Sequence, residues 1–416
     1  MRRTTTHGRG RLGATLAALA TFAVAAGFPP SAAAAGGPPV SCGSVITQDT
    51  TLTADVLGCH GDGLVVGADH VTLDLGGHVV SGDAVEDPAD VGIHVIGHHD
   101  VDVVGGTVEG FYRGIVFEAA PDGSVRSTTT RHTTRRGIVL SDGSDRGVVR
   151  DNLAMDNGAS SVAVVGSDGA TVVHNRSVGN VGGAGVRLEG ATHALVEHNS
   201  SDGDTFGAQL TDGADHNVVA GNHWTDDVET AVEQNFSNDD VLRGNYVTRS
   251  SGITLESSDG NTISGNHIVQ LAGPNGIGIQ VYGNRNVIEG NTVVDGKRYG
   301  IEVDDFQDEG HSPASDNVVR ANTVVGGELG IAIGPEAGGV VLNTVIDGNR
   351  VVGAGDDGIQ LLGPSTGLET SVVSRNIAVH NGDLGIEAVP GTRDGGGNRA
   401  AGSGNPLQCL NVRCRP

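Results

Sequence analysis

The sequence has few aromatic residues, one lysine and four cysteines in 416 residues. Aromatic side chains make up 3% of the chain, which argues against a sugar-binding site built on stacked rings. After residue 40, no segment shows the 3.6-residue period of an amphipathic helix, and none is long and apolar enough to cross a membrane. The sequence therefore predicts neither a helical protein nor a membrane span.

Basic residues are also scarce. Residues 1–35 combine four arginines, an apolar stretch and a run of alanines, which is typical of a secretory signal. Beyond them, acidic residues outnumber basic ones by about 29, so nucleic acid is a poor partner for this surface. We therefore expect a secreted protein, and an acidic ligand would need a local basic patch.

What the sequence has in abundance is a motif that returns every 22 to 24 residues. Self-similarity at this period is typical of a solenoid. One marker is a glycine followed by an apolar residue, and the other is an asparagine that ends an apolar pair. The two series include Gly92, Gly114, Gly137, Gly185, Gly207, Gly252, Gly278, Gly300, Gly330, Gly358 and Gly385, and Asn152, Asn175, Asn199, Asn222, Asn245, Asn266, Asn291, Asn322, Asn349 and Asn376.

Each repeat predicts three short strands, because apolar and polar residues alternate and valine and isoleucine dominate. Glycine, aspartate and asparagine at the corners supply the positive φ that tight turns need. The expected fold is an all-β, single-domain parallel β-helix of about 13 or 14 coils. We place the signal at 1–35, an N-terminal cap at 36–60, the β-helix at 61–390 and a C-terminal tail at 391–416. The recurring asparagines predict an internal ladder between coils.

The G-I-x-V and x-G-N-x-V signatures resemble the right-handed parallel β-helix repeats of the pectate-lyase-like superfamily. That superfamily includes pectate lyases, polygalacturonases, alginate lyases and alginate epimerases. The resemblance covers roughly residues 60–400. It implies a right-handed coil and contact with polysaccharide, and it leaves the activity open because the repeat carries no catalytic group.

The four cysteines lie in two pairs, one at each end of the solenoid. In an exported protein they predict two local disulfides, Cys42 with Cys59 and Cys409 with Cys414. Open terminal strands invite pairing with other chains, so we interpret both pairs as staples on the caps.

The repeat breaks between Gly300 and Asn376. The distance from marker glycine to marker asparagine is usually 14 or 15 residues, but it is 22, 19 and 18 in three successive coils. Insertions of this kind gather on one face, often the binding face. The outward x positions of the G-I-x-V strands there form polar columns, which predict either a plain solvated face or a saccharide groove.

Candidate site residues follow from this face. Lys297, the one lysine, and Arg298 directly precede Gly300, and the resemblance to β-helix lyases implies a lysine or arginine as the base. With the carboxylates of Glu302 and Asp304 they are the predicted catalytic group. The predicted binding residues are Glu233, Glu256, Gln280, Tyr282, Tyr299, Asp305 and His311.

Two other chemistries have fragments in the sequence. Asp356 and Asp357 resemble the aspartate pair of polygalacturonases, which work as acid and base, although the companion segments of those enzymes are missing. Residues 87–90 resemble the Asp-Pro-His-Asp of alginate epimerases, with Ala89 in place of the histidine. Ordinary turn chemistry explains both fragments as well.

The sequence thus predicts a secreted β-helix protein that contacts extracellular polysaccharide, with a lyase-like activity. The alternatives are a glycoside hydrolase of polygalacturonase type and a non-catalytic glycan-binding or surface-structural solenoid. We expect a monomer. No cofactor is required and no metal ligand is assigned, although a calcium ion is compatible with the acidic surface.

Overall fold

Three parallel β-sheets run along the chain in the computed structural model, which describes residues 39–272, 276–305, 313–335 and 338–416. The predicted signal and the predicted binding residue His311 lie outside the described residues. Each coil but the last contributes one strand to each sheet, and successive coils pair in parallel register, as Val162 does with Val186. This confirms a right-handed parallel β-helix with three strands per coil.

The strands of the three sheets are short, and a fourth, two-stranded sheet lies between the strands of sheets A and B in two successive coils. Sheet A contains Ser44–Ile46, Leu64–Val66, Val91–Ile96, Arg113–Glu118, Ile138–Ser141, Val162–Val165, Ala184–Glu189, Phe206–Thr211, Thr230–Asn235, Ser251–Glu256, Ile279–Tyr282, Tyr299–Asp304, Leu329–Ile333, Ile359–Gln360, Ile386–Glu387 and Cys409–Leu410. Sheet B contains Thr50–Thr51, Thr72–Asp74, Asp102–Val104, Ser124–Arg126, Val148–Arg150, Thr171–Val173, Leu195–Glu197, Val218–Ala220, Val241–Arg243, Thr262–Ser264, Val287–Glu289, Val318–Arg320, Val345–Asp347, Val372–Ser374 and Arg393–Gly396. Sheet C contains Val56–Cys59, Val79–Gly82, Thr107–Glu109, Thr129–Arg131, Leu153–Met155, Arg176–Val178, Ser200–Asp202, His223–Thr225, Tyr246–Thr248, His267–Val269, Thr292–Gly296, Thr323–Gly326, Arg350–Val352, Ile377–Val379, Asn398–Ala401 and Cys414–Arg415. The small sheet pairs Ala314–Ser315 with Val341–Leu342.

The solenoid is longer than the 13 or 14 coils expected, because its ends join the sheets. Ser44–Ile46, in the predicted cap, pairs with Leu64–Val66. Arg393–Gly396 and Asn398–Ala401, in the predicted tail, pair with the strands before them. Cap and tail are therefore built from the same repeat as the body.

The core runs through the centre of the coils as one continuous apolar cluster. Its members are the inward-facing residues of the strands, mostly valine, isoleucine and leucine, and they are almost fully buried. Trp224, Phe111 and Phe117 are the largest fully buried side chains. Because each coil buries its apolar face against the next, stability is spread along the solenoid rather than held in one centre.

The recurring asparagines form the predicted ladder inside the corner between sheets B and C. The amide oxygen of Asn222 accepts from the backbone N–H of Asn199 at 2.8 Å, and its Nδ2 donates to the Val196 carbonyl and to Asn245 Oδ1, both at 3.0 Å. Contacts of this kind recur from Asn152 to Asn398. The prediction that these asparagines are structural is confirmed.

Both disulfides form as predicted, one in the first coil and one at the C-terminal end. Their Cα atoms are 5.3 Å apart in the Cys42–Cys59 pair and 6.1 Å apart in the Cys409–Cys414 pair. The described part of the chain has one helical turn, the 3-10 helix Leu368–Thr370, and it contains no helix that could span a membrane.

Candidate functional site

The outer face of sheet A carries the polar columns that the sequence predicts. Gln209 pairs in register with Arg187 on one side and with Glu233 on the other, and Gln280 pairs with Glu302. The second column passes through Glu256, Tyr282 and Asp304. The strand pairing therefore brings the predicted binding residues of neighbouring coils side by side.

The part of this face around Glu302 is buried. We name it the covered stretch and define it by Gln280, Tyr282, Glu302, Asp304 and Asp305. Three of its carboxylates, those of Glu302, Asp304 and Asp305, are 0% exposed, whereas the sequence predicts an open groove.

Hydrogen bonds hold these carboxylates in place. Gln280 Nε2 donates to Glu302 Oε2 at 2.8 Å, and Ser365 Oγ donates to Asp304 Oδ1 at 2.8 Å. The backbone N–H of Val340 donates to Asp305 Oδ2 at 2.7 Å. The carboxylates therefore bind the segments that cover them.

The inserted residues of the repeat explain this burial. Ser365 and the Gly339–Val340 segment, which follow the next two strands of sheet A, contact the carboxylates of Asp304 and Asp305, and a Cβ atom at Gly339 would lie 2.2 Å from Asp305 Oδ2. Tyr299 packs beside the stretch with Ile277, Leu329 and Ala332 in a small apolar cluster. The insertions thus form a cover here, where the sequence predicts a binding edge.

Lys297 and Arg298 lie exposed at the edge of sheet A. Lys297 Nζ donates to the Ala272 carbonyl at 2.6 Å. The guanidinium carbon of Arg298 lies 4.9 Å from the ring centroid of Tyr299. A catalytic role for these two residues with Glu302 and Asp304 stays a prediction.

Closer to the N-terminus, the same face is open and its side chains form a hydrogen-bonded chain. Glu189 Oε2 accepts from Arg136 Nη2 at 2.9 Å and from Arg187 Nε at 3.1 Å. Arg187 Nη1 donates to Gln209 Oε1 at 2.8 Å, and Gln209 Nε2 donates to Glu233 Oε2 at 3.1 Å. Burial raises the pKa of the Glu233 carboxyl above its ordinary value. We name these five residues the open stretch.

A basic cavity adjoins the open stretch. Its volume is about 400 Å³, and Arg113, Arg135, Arg136 and Arg187 line it together with Tyr112 and Pro88. We name it the arginine cleft. The Nε atom of Arg113 is buried and has no hydrogen-bond partner among the described residues, while its Nη2 donates to the Pro88 carbonyl at 3.3 Å.

Sequence reasoning missed Arg113, Arg135 and Arg136. The signal was present, because Arg113 and Arg136 each directly precede a marker glycine, one repeat apart. Because successive coils stack in parallel, residues at the same repeat position lie side by side, so these arginines are neighbouring cations on one face.

Two groups capable of proton transfer lie in the coil before Arg113. Asp90 is 6% exposed, and burial followed by the charge of Asp87 raises the pKa of its carboxyl. The backbone N–H of Arg113 donates to the Asp90 carbonyl at 3.2 Å. His94 Nδ1 lies 3.2 Å from Asp62 Oδ2, and Glu118 Oε2 lies 3.7 Å from His94 Nε2.

The predicted hydrolase pair has a different geometry from an acid and base that flank a glycosidic bond. Asp357 is 1% exposed, and burial together with a hydrogen bond to Glu387 raises its pKa to about 6. Its Oδ1 accepts from the backbone N–H of Leu384 at 2.7 Å. One carboxylate oxygen of Asp356 lies within 4.8 Å of one of Asp357, whereas inverting hydrolases keep their two carboxyl groups about 6.5–9.5 Å apart.

A cluster of histidines and aspartates lies at the corner between sheets A and B. It consists of Asp69 and His70 in one coil and His98, His99 and Asp100 in the next, and we name it the histidine corner. Asp100 Oδ2 lies 3.2 Å from the Nδ1 atoms of both His70 and His99. Asp69 Oδ1 lies 2.9 Å from His98 Nδ1, and Asp69 Oδ2 lies 3.2 Å from His99 Nε2.

Solved structures similar to this one are also β-helix proteins. DFA-IIIase from Arthrobacter chlorophenolicus A6 in complex with GF2 is 17% identical, with a TM-score of 0.44, and the match covers 57% of this chain and 68% of that chain. The mannuronan C-5 epimerase AlgE4 A-module of Azotobacter vinelandii is 15% identical, with a TM-score of 0.48 and coverage of 78% and 91%. The periplasmic alginate epimerase AlgG is 13% identical, with a TM-score of 0.49 and coverage of 82% and 78%. No curated protein matches the chain in sequence.

Two family models match the sequence. The model of a right handed beta helix region matches residues 272–377. The model described as periplasmic copper-binding protein (NosD) matches residues 42–233 and 159–295. These two overlapping stretches span more than half of the 416 residues, so the chain belongs to the NosD family of β-helix proteins.

Proposed function

We propose that the protein binds an acidic, uronate-containing polysaccharide in the arginine cleft and along the open stretch of sheet A. One observation carries this proposal. Four arginines line a single cavity of about 400 Å³, on a chain whose net charge is −25. Such a local reversal of charge suits an anionic ligand, because the surrounding carboxylates repel anions everywhere else.

The geometry favours carboxylate groups along a polymer. A guanidinium binds a carboxylate with two parallel hydrogen bonds, which is why arginine is preferred at such sites. Glu189 already orients Arg136 and Arg187, so little side-chain freedom is lost on binding. Beyond them, Gln209 and Glu233 offer hydrogen-bonding groups for sugar hydroxyls in the next two coils.

A lyase-like reaction is the activity that we propose for this site. A base would remove the proton beside the uronate carboxylate, and the electron pair would expel the neighbouring glycosidic oxygen to leave an unsaturated sugar. The arginines would stabilise the enolate-like anion. His94 and Asp90 are the nearby groups that could move the proton. Catalysis at Lys297 and Arg298 is the alternative location, and non-catalytic binding is the alternative function.

We place this function outside the cytoplasm. Disulfides persist in oxidising compartments, and the chain carries one near each end of the solenoid. The composition of residues 1–35, which is typical of a secretory signal, supports the same placement.

The test compares two arginine variants on a panel of uronate polymers and neutral polysaccharides of matched length. Arg136→Ala with Arg187→Ala should weaken uronate binding roughly 100-fold, since two charge-assisted hydrogen-bonding groups are lost. The control is Arg146→Ala, which removes an exposed arginine paired with Asp122 at a different corner. Ultraviolet absorbance of unsaturated uronate then separates a lyase from a binding protein. Equal binding by the double variant and the wild type would refute the cleft as the site.

Copper binding is a second candidate function, which we propose because of the family description and the histidine corner. Copper(II) accepts imidazole nitrogen and carboxylate oxygen as ligands. The histidine corner offers both kinds of donor within short distances, so its residues fit such an ion.

A further inference from the structure

We propose that His70, His99 and Asp100 bind a divalent transition-metal ion between two successive coils, with Asp69 positioning His99. This inference deepens the second candidate function and is independent of saccharide binding. His98 is not a proposed ligand, and its ring contacts Asp69. The ion would join the second and third coils at the corner between sheets A and B.

The backbone fixes where these side chains project. His70 and Asp100 occupy equivalent corner positions one coil apart, and both have left-handed backbone angles, with φ of 56° and 54°. The backbone N–H of His70 donates to the His99 carbonyl at 3.0 Å, so the two coils are joined beside the cluster. The side chains remain accessible, with 68% of His70 and 45% of His99 exposed.

The donor atoms already lie at distances close to those of a coordination shell. Ligand bonds to Zn²⁺ of about 2.0–2.2 Å place neighbouring donors of a tetrahedron about 3.4 Å apart. Asp100 Oδ2 lies 3.2 Å from His70 Nδ1 and 3.2 Å from His99 Nδ1. One donor atom from each of the three residues lies within 4.8 Å of the others. Small side-chain rotations would complete a three-ligand site, with water at the open position.

The two carboxylate contacts of His99 fix the orientation of its ring. Both of its ring nitrogens lie 3.2 Å from a carboxylate oxygen, Nδ1 from Asp100 and Nε2 from Asp69. With a metal ion on Nδ1, the Nε2–H donates to Asp69. This is the carboxylate–histidine–metal arrangement that orients metal ligands.

Charge and donor chemistry together select the class of ion. The corner holds two carboxylates and three imidazoles, so a dication would neutralise it. Arg146, in a neighbouring coil, does not compete, because it donates to both carboxylate oxygens of Asp122 at 2.6 and 2.7 Å. Imidazole ligands favour Zn²⁺, Cu²⁺ and Ni²⁺ over Ca²⁺ and Mg²⁺. This differs from the calcium ion that the acidic sequence allows.

The chain supplies a matched control. His174 is exposed, has a left-handed φ of 56°, and stacks on His198 with ring centroids 5.4 Å apart. No shared carboxylate is recorded between these two rings in the described structure. Replacing His174 therefore shows the effect of losing any exposed corner histidine, against which the loss of a histidine in the proposed site can be compared.

The experiment is calorimetric titration of the untagged full chain with Zn²⁺ and Ni²⁺, with Ca²⁺ as the negative ion. We expect His70→Ala and His99→Ala each to weaken Zn²⁺ binding at least 10-fold, their combination to abolish it, and His174→Ala to change it less than twofold. Asp69→Asn should weaken binding about 10–100-fold. Cu²⁺ electron paramagnetic resonance should show two coordinated nitrogens in the wild type and one in either single variant.

Two results would overturn the proposal. If the wild type binds no Zn²⁺, Ni²⁺ or Cu²⁺, the metal function and the site fall together. If the wild type binds an ion and the double variant binds it equally well, metal binding stands and its assignment to this corner falls. Circular dichroism melting of every variant shows whether a loss of binding reflects a loss of fold.

Discussion

The open and covered stretches of sheet A occupy the same columns of the same sheet, yet they present different surfaces. In the open stretch, Arg136 and Arg187 line a cavity of about 400 Å³, and they form a hydrogen-bonded chain with Glu189 and Gln209. In the covered stretch, Glu302 and Asp304 are fully buried. Strand register alone therefore does not decide whether an outward residue meets solvent.

The difference arises in the turns that leave sheet A. The coils of the open stretch have 14 or 15 residues between the marker glycine and asparagine, whereas the coils beginning at Gly300, Gly330 and Gly358 have 22, 19 and 18. Within these longer turns, Ser365 Oγ and the backbone N–H of Val340 donate to the carboxylates of Asp304 and Asp305. Turn length is thus the feature that makes one stretch a binding surface and the other a second layer.

The largest expected effect tests whether the asparagine ladder contributes equally to stability in the coils of both stretches. Asn222→Ala changes a coil of the open stretch and Asn322→Ala a coil of the covered stretch, and both asparagines are 1% exposed. Each change leaves buried backbone and amide groups unpaired, at about 1–3 kcal/mol per group, so each variant should lose roughly 3 kcal/mol of unfolding free energy. Chemical denaturation measures both. If the losses of unfolding free energy in the two variants differ by more than about 2 kcal/mol, the covering segments also affect the stability of the ladder.

The next prediction sharpens the comparison at the outer face. Asp304→Ala removes the acceptor of the Ser365 hydroxyl and of the Asp305 backbone N–H, so it should cost about 2–3 kcal/mol of stability. Arg135→Ala, exposed in the arginine cleft, should change stability by less than about 0.5 kcal/mol. Thermal melting of the two variants provides the measurement. Similar melting temperatures would show that Asp304 is not part of a structural cover.

A pH-dependent effect concerns Asp227, a buried acid in the coils of the open stretch. Burial raises the pKa of Asp227 to about 8, and the two hydrogen bonds from Ser201 Oγ, at 2.8 and 2.9 Å, offset this only in part. The folded protein therefore keeps a proton that the unfolded chain has lost above about pH 4. Stability from this group is full below about pH 4 and declines as pH rises towards 8, by about 1 kcal/mol per pH unit. In denaturation from pH 5 to 8, Asp227→Asn should show a shallower decline than the wild type, and an unchanged slope would contradict it.

The fold could be predicted from the sequence because the same residue pattern recurs in successive coils. The ladder asparagines, the paired cysteines at each end and the outward columns all follow from residues at fixed spacing, such as Gly137 and Asn152. The number of coils came out low because the end segments, around Ser44 and Asn398, carry weaker copies of the same pattern.

The functional surface was harder to predict, because it depends on contacts that spacing does not encode. The path of the insertions is set by packing and single hydrogen bonds, such as that of Val340 to Asp305. The histidine corner joins His70 to His99, which are 29 residues apart and outside the usual repeat length. Only the stacking of coils shows that these residues meet.

The smallest expected effect returns to the edge of the covered stretch. Lys297→Ala with Arg298→Ala removes the two cations that the sequence assigns to a groove. Lys297 Nζ donates to the Ala272 carbonyl and the Arg298 guanidinium lies against the Tyr299 ring, at a place where the adjoining carboxylates are buried. Affinity for a uronate polymer should therefore change less than twofold, from the loss of long-range attraction alone, and that change should vanish at high salt. A loss as large as that of the Arg136 and Arg187 variant would move the binding site to this edge, and would mean that the cover opens when the ligand binds.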